Sequence, residues 1–186
     1  IDVVETTLPG ACAGDYTITR EFTATDDCGN ATSATQTITI IDTTSPEFTS
    51  IPSDYTAECS DAHPMDAASA TDNCGEVTID VVETTLPGAC AGDYTITREF
   101  TATDDCGNAT SATQTITIID TTSPELTIPA DYTAECSDAH PMDAASATDN
   151  CGEVVIDVVE TTLPGACAGD YTITREFTAT DDCGNS

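Results

Sequence analysis

Cysteine and aspartate are the residue types of this sequence whose number and spacing could do chemistry. Ten cysteines in 186 residues are typical of a disulfide-bonded protein of an oxidising compartment, so we expect an extracellular, cell-surface or secreted protein. A zinc site of four thiolates is disfavoured because no Cys-x-x-Cys spacing occurs. The two histidines show no pairing with a serine or cysteine nucleophile, so the chain is not expected to be an enzyme.

Aspartate and asparagine concentrate in turns that the predicted strand order places at one end of each domain. Oxygen ligands that converge from three loops suit Ca²⁺, which takes about six to eight of them, so calcium is the expected cofactor. The alternative is that these residues only form turns on a solvated, acidic surface. The predicted metal ligands are Asp42, Asp72, Asn73, Asp104, Asp105, Asn108, Asp120, Asp149, Asn150, Asp181 and Asp182.

The acidic composition excludes two classes of partner. Asp and Glu number 34 against three Lys and Arg, and the formal net charge is −31. Nucleic acids and anionic membranes recruit clustered cationic side chains, so neither is an expected partner. No apolar run approaches the roughly 18–20 residues that a membrane-spanning helix needs, so no membrane span is expected.

An internal repeat organises the chain. The segment that begins at Ile1 begins again at Ile79 and at Ile156, with offsets of 78 and 77 residues. Near-identical units of this size indicate a string of small domains. We predict a linker at 42–46, where Pro46 follows a strand and stops further pairing. The expected domains are a partial repeat 1–41, a complete repeat 42–119 and a repeat 120–186 that lacks its last strand, together a window on a longer array.

Alternation of apolar and polar residues with period two predicts β-strands, and no stretch has helical periodicity. The predicted strands of the complete repeat are 54–59, 65–71, 77–82, 94–103 and 113–118. The predicted fold class is therefore all-β: β-sandwich domains of about 78 residues in tandem, arranged as a linear string.

Four segments of the sequence are similar to those of a known family: Asp42-x-x-x-Pro46, Ala70-Thr71-Asp72-Asn73-Cys74-Gly75, the run from Arg98 to Asn108, and the closing Thr115-Ile116-Thr117-Ile118-Ile119-Asp120. Together they resemble the HYR (hyalin repeat) family, especially its cysteine-rich tandem members in large bacterial surface proteins. The resemblance implies an immunoglobulin-like, extracellular module. Ile51 and the run 110–118 stand where many members carry cysteines, so the usual bridge of the family is not carried over.

The disulfide pattern of the complete repeat is predicted from strand length. A strand of about eight residues is roughly 25 Å long, whereas bridged Cα atoms lie within about 7 Å. Neighbouring cysteines flank a strand and therefore lie too far apart, while an up-down strand order brings alternate cysteines to the same end. The predicted bonds are Cys59–Cys90, Cys74–Cys106, Cys136–Cys167 and Cys151–Cys183. Cys12 and Cys28 have no predicted partner within the chain.

An internal ion pair is predicted in each repeat. Arg98 alternates with Ile96 and Phe100 and therefore faces inward. A register set by the Cys74–Cys106 bond places Glu83 opposite Arg98, and such a pair satisfies the buried charge. The predicted structural pairs are Glu83–Arg98, Glu5–Arg20 and Glu160–Arg175.

Glycans are a further expected feature of the surface. Asn30 and Asn108 each begin an Asn-Ala-Thr sequence, the acceptor motif of N-glycosylation. Columns of outward threonines on the predicted strands offer O-glycosylation sites or a flat, ice-binding lattice. The alternative is that threonine is simply a common residue on exposed strands.

The leading hypothesis is a structural segment of an extracellular fibre or adhesin stalk, stiffened by disulfides and calcium and in contact with neighbouring repeats. Near-identical units suit a spacer, in which length matters more than any one site. The alternative is an array of modules that bind surface glycans or ice and gain affinity from multivalency.

Overall fold

The computed structural model describes residues 1–186 and contains thirteen β-strands and no α-helix, so the all-β prediction is confirmed. The first repeat holds β1 (Asp2–Pro9), β2 (Tyr16–Thr25) and β3 (Ala31–Ile40). The middle repeat holds β4 (Glu47–Ser50), β5 (Tyr55–Glu58), β6 (Ser69–Thr71), β7 (Val77–Pro87), β8 (Tyr94–Asp104) and β9 (Ala109–Ile119). The last repeat holds β10 (Glu125–Thr127), β11 (Ser146–Thr148), β12 (Val154–Pro164) and β13 (Tyr171–Asp181).

The strands form several small sheets with nearly the same plan in each repeat. The middle repeat has a four-stranded sheet of order β5-β9-β8-β7 and a two-stranded sheet β4-β6. The first repeat has the sheet β1-β2-β3, and the last has the sheets β10-β11 and β12-β13. Strand pairs such as β2 with β3 are antiparallel, but β5 runs parallel to β9 with Tyr55 opposite Ile116. No helix of the chain combines the length and the apolar character that crossing a bilayer requires.

The predicted strands are found with different lengths. The strand predicted at 77–82 continues to Pro87, beyond the alternating part of its sequence. The strand predicted at 65–71 shortens to Ser69–Thr71. Strand β4, Glu47–Ser50, directly follows Pro46 and was not predicted. Residues 41–46 carry no strand, as expected of a linker.

The chain divides into two compact units that do not coincide with the repeats. Unit 1 comprises 1–54, 65–84 and 97–114, and unit 2 comprises 55–64, 85–96 and 115–186. The middle repeat is therefore divided between the two units, while 1–41 belongs to unit 1 and 120–186 to unit 2. The boundary between consecutive repeats lies inside a compact unit in both cases.

Each unit has its own buried residues. In unit 1, Phe100 and Ala102 are fully buried, and Arg98 shares their face of β8. In unit 2, Ile96, Ile116 and Ile118 form a cluster that packs against partly buried side chains, namely Tyr55, Ala57, Cys59 and Tyr94. The period-two pattern of the sequence thus corresponds to the buried face of β8 and β9.

Candidate functional site

A short loop carries one cysteine of each repeat at the end of a hairpin. After β7, the Gly88 N–H donates to Asp93 O at 2.8 Å, and the Asp93 N–H donates to Cys90 O at 3.1 Å. The loops at 10–15 and 165–170 have the same two bonds. A Cβ added at Gly88 would lie only 2.7 Å from Asp93 Cβ, so this position requires glycine. The loop therefore presents Cys90 in a fixed conformation.

A second turn, at the other end of β8, presents another cysteine. Asp104 Oδ1 accepts from the backbone N–H groups of Cys106 at 2.8 Å and Asn108 at 2.9 Å. Asp104 Oδ2 accepts from the side chain of Asn108 at 2.9 Å. Burial alone raises the pKa of Asp104, but these hydrogen bonds together outweigh it, so the pKa lies below its ordinary value. The turns that begin at Asp26 and Asp181 have the same bonds.

Disulfides join the two kinds of turn across the repeat boundaries. Cys12 is bonded to Cys106 and Cys90 to Cys183, with Cα–Cα distances of 5.0 and 5.1 Å. A third bond, with Cα atoms 5.9 Å apart, joins Cys59 to Cys151. Their sequence separations of 94, 93 and 92 residues exceed the repeat offsets of 77 and 78. Each bond therefore connects one repeat to the next.

The predicted disulfide pattern was therefore wrong. Alternate cysteines were expected to pair within a repeat, as Cys59–Cys90, Cys74–Cys106, Cys136–Cys167 and Cys151–Cys183. Instead, Cys59, Cys90, Cys106, Cys151 and Cys183 are bonded to another repeat, while Cys28, Cys74, Cys136 and Cys167 are free thiols. The prediction compared only partners within a repeat, whereas the end of the neighbouring repeat brings other cysteines within bonding distance.

Backbone and side-chain hydrogen bonds accompany the disulfides at each boundary. In unit 2 the Asp120 N–H donates to Asp93 Oδ1 at 3.1 Å, and Asn185 Nδ2 donates to Asp120 O at 3.2 Å. The Ala91 N–H donates to Asp182 Oδ2 at 2.9 Å. In unit 1 the Asp42 N–H donates to Asp15 Oδ1 at 2.9 Å, and Asn108 Nδ2 donates to Asp42 O at 3.3 Å. The first linker residue is thus held from both sides in each unit.

Asp120 is the most unusual carboxylate of the boundary in unit 2. It is 6% exposed, and its Oδ2 atom is buried without a hydrogen-bond partner. Burial first, and then the negative charges of Asp149, Asp181 and Glu58, raise the pKa of Asp120, although a hydrogen bond from Thr122 lowers it. Asp149 also has a buried oxygen, Oδ1, without a partner. The oxygens of this acidic cluster therefore have unused acceptor capacity.

The cluster has an equivalent in unit 1. The nearby groups there are the carboxylates of Asp42 and Asp72 with the Cys74 thiol, and Asp72 Oδ1 is buried without a partner. Burial and the charges of Asp42, Asp72 and Asp104 raise the pKa of Cys74. Carboxylate oxygens with free acceptor capacity fit a hard cation such as Ca²⁺.

The other predicted metal ligands have different environments. Asp105 and Asp182 are exposed, and Asp182 accepts the amide of Ala91. Asn73 Nδ2 and Asn150 Nδ2 each donate to the sulfur of the following cysteine at 2.8 Å. Asp104 and Asp181 accept turn amides, as the alternative interpretation of these loops expects. The structure thus places Asp42 close to Asp72 and Asp104, and Asp120 close to Asp149 and Asp181, while calcium binding stays a prediction.

The three predicted ion pairs are present in the structure. Arg98 Nε donates to Glu83 Oε2 at 2.8 Å, and Arg98 Nη1 reaches Gln114 Oε1 at 3.4 Å. The arginine side chain is 3% exposed in this pair, 17% in Arg175–Glu160 and 38% in Arg20–Glu5. The same glutamate–arginine pair thus recurs in the three repeats, and the burial of its arginine differs in each.

The two predicted glycosylation sites differ in their surroundings. The Asn30 side chain is exposed and donates to Asp26 Oδ2 at 2.8 Å. Asn108 Nδ2 donates both to Asp104 Oδ2 and to the linker carbonyl of Asp42. A glycan on Asn108 would disrupt both bonds at the repeat boundary.

Sequence reasoning did not identify Asp15, Asp93 and Glu58 as boundary residues. Asp15 and Asp93 accept the linker amides, and Glu58 accepts hydrogen bonds from the backbone and the hydroxyl of Thr121. A sequence signal existed, because Cys-Ala-Gly-Asp recurs with an unchanged spacing to the linker.

Comparison with known protein families identifies part of the middle repeat. Residues 49–118 match the family model described as an HYR-like domain with 4 cysteines. The cysteines in this range are Cys59, Cys74, Cys90 and Cys106. No curated protein matches the chain. The resemblance deduced from the sequence is confirmed over this range.

Proposed function

Because residues 49–118 form an HYR-like domain with 4 cysteines, we propose that the chain is a structural segment of an extracellular fibre or adhesin stalk. HYR-like domains are adhesion-type modules, and the disulfides are compatible with an extracellular location. The observation that carries the proposal is the disulfide pattern. Each bond joins one repeat to the next, so the repeats form a covalent ladder.

The ladder shortens the covalent path along which a pulling force travels. From residue 1 the shortest path runs to Cys12, crosses to Cys106, returns along the chain to Cys90 and crosses to Cys183. This path contains about 30 residue steps and is about 110 Å long when extended, at roughly 3.5 Å per residue. The reduced chain of 186 residues extends to about 650 Å. Such a ladder suits a stalk that must keep its length under load.

Single-molecule stretching between residues 1 and 186 tests the proposal. The oxidised chain should stop extending at about 110 Å, and a reductant should release it to about 650 Å. In Cys12→Ser/Cys106→Ser the shortest path lengthens to about 92 residues, so this variant should stop at about 320 Å. The control Cys136→Ser/Cys167→Ser changes only free thiols and should behave like the parent chain. An oxidised parent that extends to the reduced length contradicts the load-bearing role.

A divalent cation at each boundary is the second part of the proposed function. Support comes from the buried Asp120 carboxylate, whose Oδ2 has no partner and whose neighbours are Asp149, Asp181 and Glu58. One Ca²⁺ ion bound by Asp120 and Asp149 supplies the missing countercharge in unit 2. A second ion bound by Asp42 and Asp72 does the same in unit 1. The ion then stabilises the segment in which the linker joins two repeats.

A further inference from the structure

The free thiols are copies of bonded cysteines. Cys90 is the copy of Cys12 at an offset of 78 residues, and Cys183 is the copy of Cys106 at an offset of 77. The bonds Cys12–Cys106 and Cys90–Cys183 are therefore the same bond in successive repeats. The first set of equivalent cysteines is Cys12, Cys90 and Cys167, and the second set is Cys28, Cys106 and Cys183. Every other member of either set is bonded to a member of the opposite set.

Both free thiols lie in the turns that present their bonded copies. The Cys28 N–H donates to Asp26 Oδ1 at 2.9 Å, as the Cys183 N–H donates to Asp181 Oδ1 at 2.9 Å. At the other thiol, the Asp170 N–H donates to Cys167 O at 3.1 Å, the distance found in the loop of Cys90. Cys28 and Cys167 are both exposed. Each thiol therefore lies in a loop with the hydrogen bonds of its bonded copies, although Gly169 beside Cys167 has a φ of 105° that the equivalent Gly92 lacks.

The remaining free thiols follow the same rule. Cys136 is the copy of Cys59, and Cys74 is the copy of Cys151, which is bonded to Cys59. A Cβ added at Gly14 would lie 2.9 Å from Cys74 Cβ, and one at the equivalent Gly92 would lie 3.2 Å from Cys151 Cβ. Cys74 thus has the surroundings of its bonded copy.

We infer that Cys28 and Cys167 are complementary linkage sites, through which Cys167 of one copy of this repeat segment forms a disulfide with Cys28 of another. The bond re-forms the pair seen in Cys12–Cys106 and Cys90–Cys183. The inference rests on the repeat geometry and does not depend on the proposed fibre function. A further repeat on the same polypeptide would offer Cys167 an equivalent of Cys28. Linkage between two chains doubles the size of the product, whereas linkage within one chain leaves it unchanged.

The linkage needs an oxidant, which we take to be a low-molecular-weight disulfide such as glutathione disulfide. The Cys167 thiolate attacks one of its sulfurs, a protein–glutathione mixed disulfide forms and one glutathione thiolate leaves. The Cys28 thiolate of the second copy then attacks the Cys167 sulfur and displaces the second glutathione thiolate. Two protein thiols are thereby oxidised to one disulfide, and one glutathione disulfide is reduced to two thiols. The two protons of the protein thiols pass to solvent or to the glutathione thiolates.

Charge opposes the approach of two copies and sets the conditions of the test. Each copy has a formal net charge of −31. Salt screens this repulsion, since the Debye length falls from about 10 Å at 0.1 M to about 3 Å at 1 M ionic strength. Linkage should therefore be faster at high salt.

Complementation between two variants tests the inference. In a Cys74→Ser/Cys136→Ser background, one protein carries Cys28→Ser and keeps only the Cys167 thiol, while the other carries Cys167→Ser and keeps only the Cys28 thiol. With glutathione disulfide at high salt, each protein alone should stay monomeric on a non-reducing gel, and the mixture should give a dimer. The heterodimer should be about tenfold or more as abundant as either homodimer. Reduction should return it to the monomer size of 19.2 kDa.

Three outcomes overturn the inference. The first is a statistical mixture of homodimers and heterodimers, the second is a mixture that stays monomeric, and the third is a Cys136–Cys167 bond in the parent chain. The background protein, which keeps both Cys28 and Cys167, should instead form a ladder of oligomers. In material with further repeats on the same polypeptide, the same linkage appears by peptide mapping without a change of size on reduction. Loss of linkage between copies would leave the Cys90–Cys183 bond in place, so this failure is distinct from failure of the proposed function.

Discussion

Cys90 and Cys183 are bonded although 93 residues separate them, so the bond joins the hairpin loop of one repeat to a turn of the next. The same bond occurs one repeat earlier between Cys12 and Cys106. The compact units of the chain contain these boundaries, whereas the middle repeat is divided between the two units. The boundary is therefore a structural element in its own right, with disulfides, linker hydrogen bonds and an acidic cluster.

Removing the Cys90–Cys183 bond should destabilise unit 2. A bond that closes a loop of this length contributes up to about 4.7 kcal/mol in the chain-entropy model, but Cys59–Cys151 already constrains the same segments. We therefore expect Cys90→Ser/Cys183→Ser to lose about 2–4 kcal/mol of unfolding free energy, measured by guanidinium unfolding of the oxidised protein. Cys136→Ser/Cys167→Ser is the matched control and should change little. Equal losses in both variants would indicate that Cys136 and Cys167 are bonded.

The three glutamate–arginine pairs should differ in strength according to burial. Glu83→Gln removes the charge partner of the buried Arg98 guanidinium and should cost about 1.5–3 kcal/mol. Glu5→Gln acts on the more exposed Arg20 and should cost about 0–1 kcal/mol, because solvent screens that pair. Chemical unfolding of both variants gives the comparison, and Glu160→Gln should lie between them. Equal costs would mean that burial of the arginine does not govern the pair.

Calcium should stabilise the parent chain and lose its effect when Asp120 is changed. At about a hundredfold excess over Kd, a ligand of the folded state adds about 2.7 kcal/mol, which corresponds to roughly 5–10 °C in Tm for a chain of this size. In EDTA, Asp120→Asn should raise Tm by roughly 2–4 °C, because it removes a buried charge beside Asp149 and Glu58.

Differential scanning calorimetry in Ca²⁺ and in EDTA measures both effects. Asp105→Asn changes an exposed carboxylate and is the control, which should retain the calcium response. A parent Tm that is the same in calcium, magnesium and EDTA would sink the cation proposal, and the aspartates would then be turn formers only.

Glycosylation should distinguish the two Asn-Ala-Thr sequences. Asn30 is exposed, whereas Asn108 Nδ2 is engaged with Asp104 and with the linker carbonyl of Asp42. Expression in a host that performs N-glycosylation should modify Asn30 and leave Asn108 largely unmodified, as measured by intact mass and glycopeptide analysis. Equal occupancy at both positions would show that the Asn108 contacts do not form before the glycan is added.

The sequence predicted local features well and long-range ones poorly. The alternation of Ile96, Arg98 and Phe100 correctly predicted an inward arginine, because side-chain period is a local property of a strand. The Glu83–Arg98 pair was also predicted, although the Cys74–Cys106 bond that was used to set the register does not exist. The tight loop between Gly88 and Asp93 fixes that register locally, which explains why the pair was still found.

The disulfide partners could not be deduced from spacing. Cys59 and Cys90 were placed at one end of a repeat, but equivalent cysteines recur every 77 or 78 residues, so spacing does not separate a partner in the same repeat from one in the next. The choice depends on how the end of one repeat meets the following one. That contact involves Asp93, Asp120 and Asn185, whose roles emerge only when distant turns are brought together.

Tryptic digestion without reduction tests the central claim most directly. Cleavage after Arg20, Arg98 and Arg175 gives the fragments 1–20, 21–98, 99–175 and 176–186. With the free thiols blocked beforehand, the bonds between repeats should hold all four fragments in one disulfide-linked species, and reduction should release them. Pairing within repeats leaves Cys12 without a partner, so release of fragment 1–20 before reduction would contradict the account.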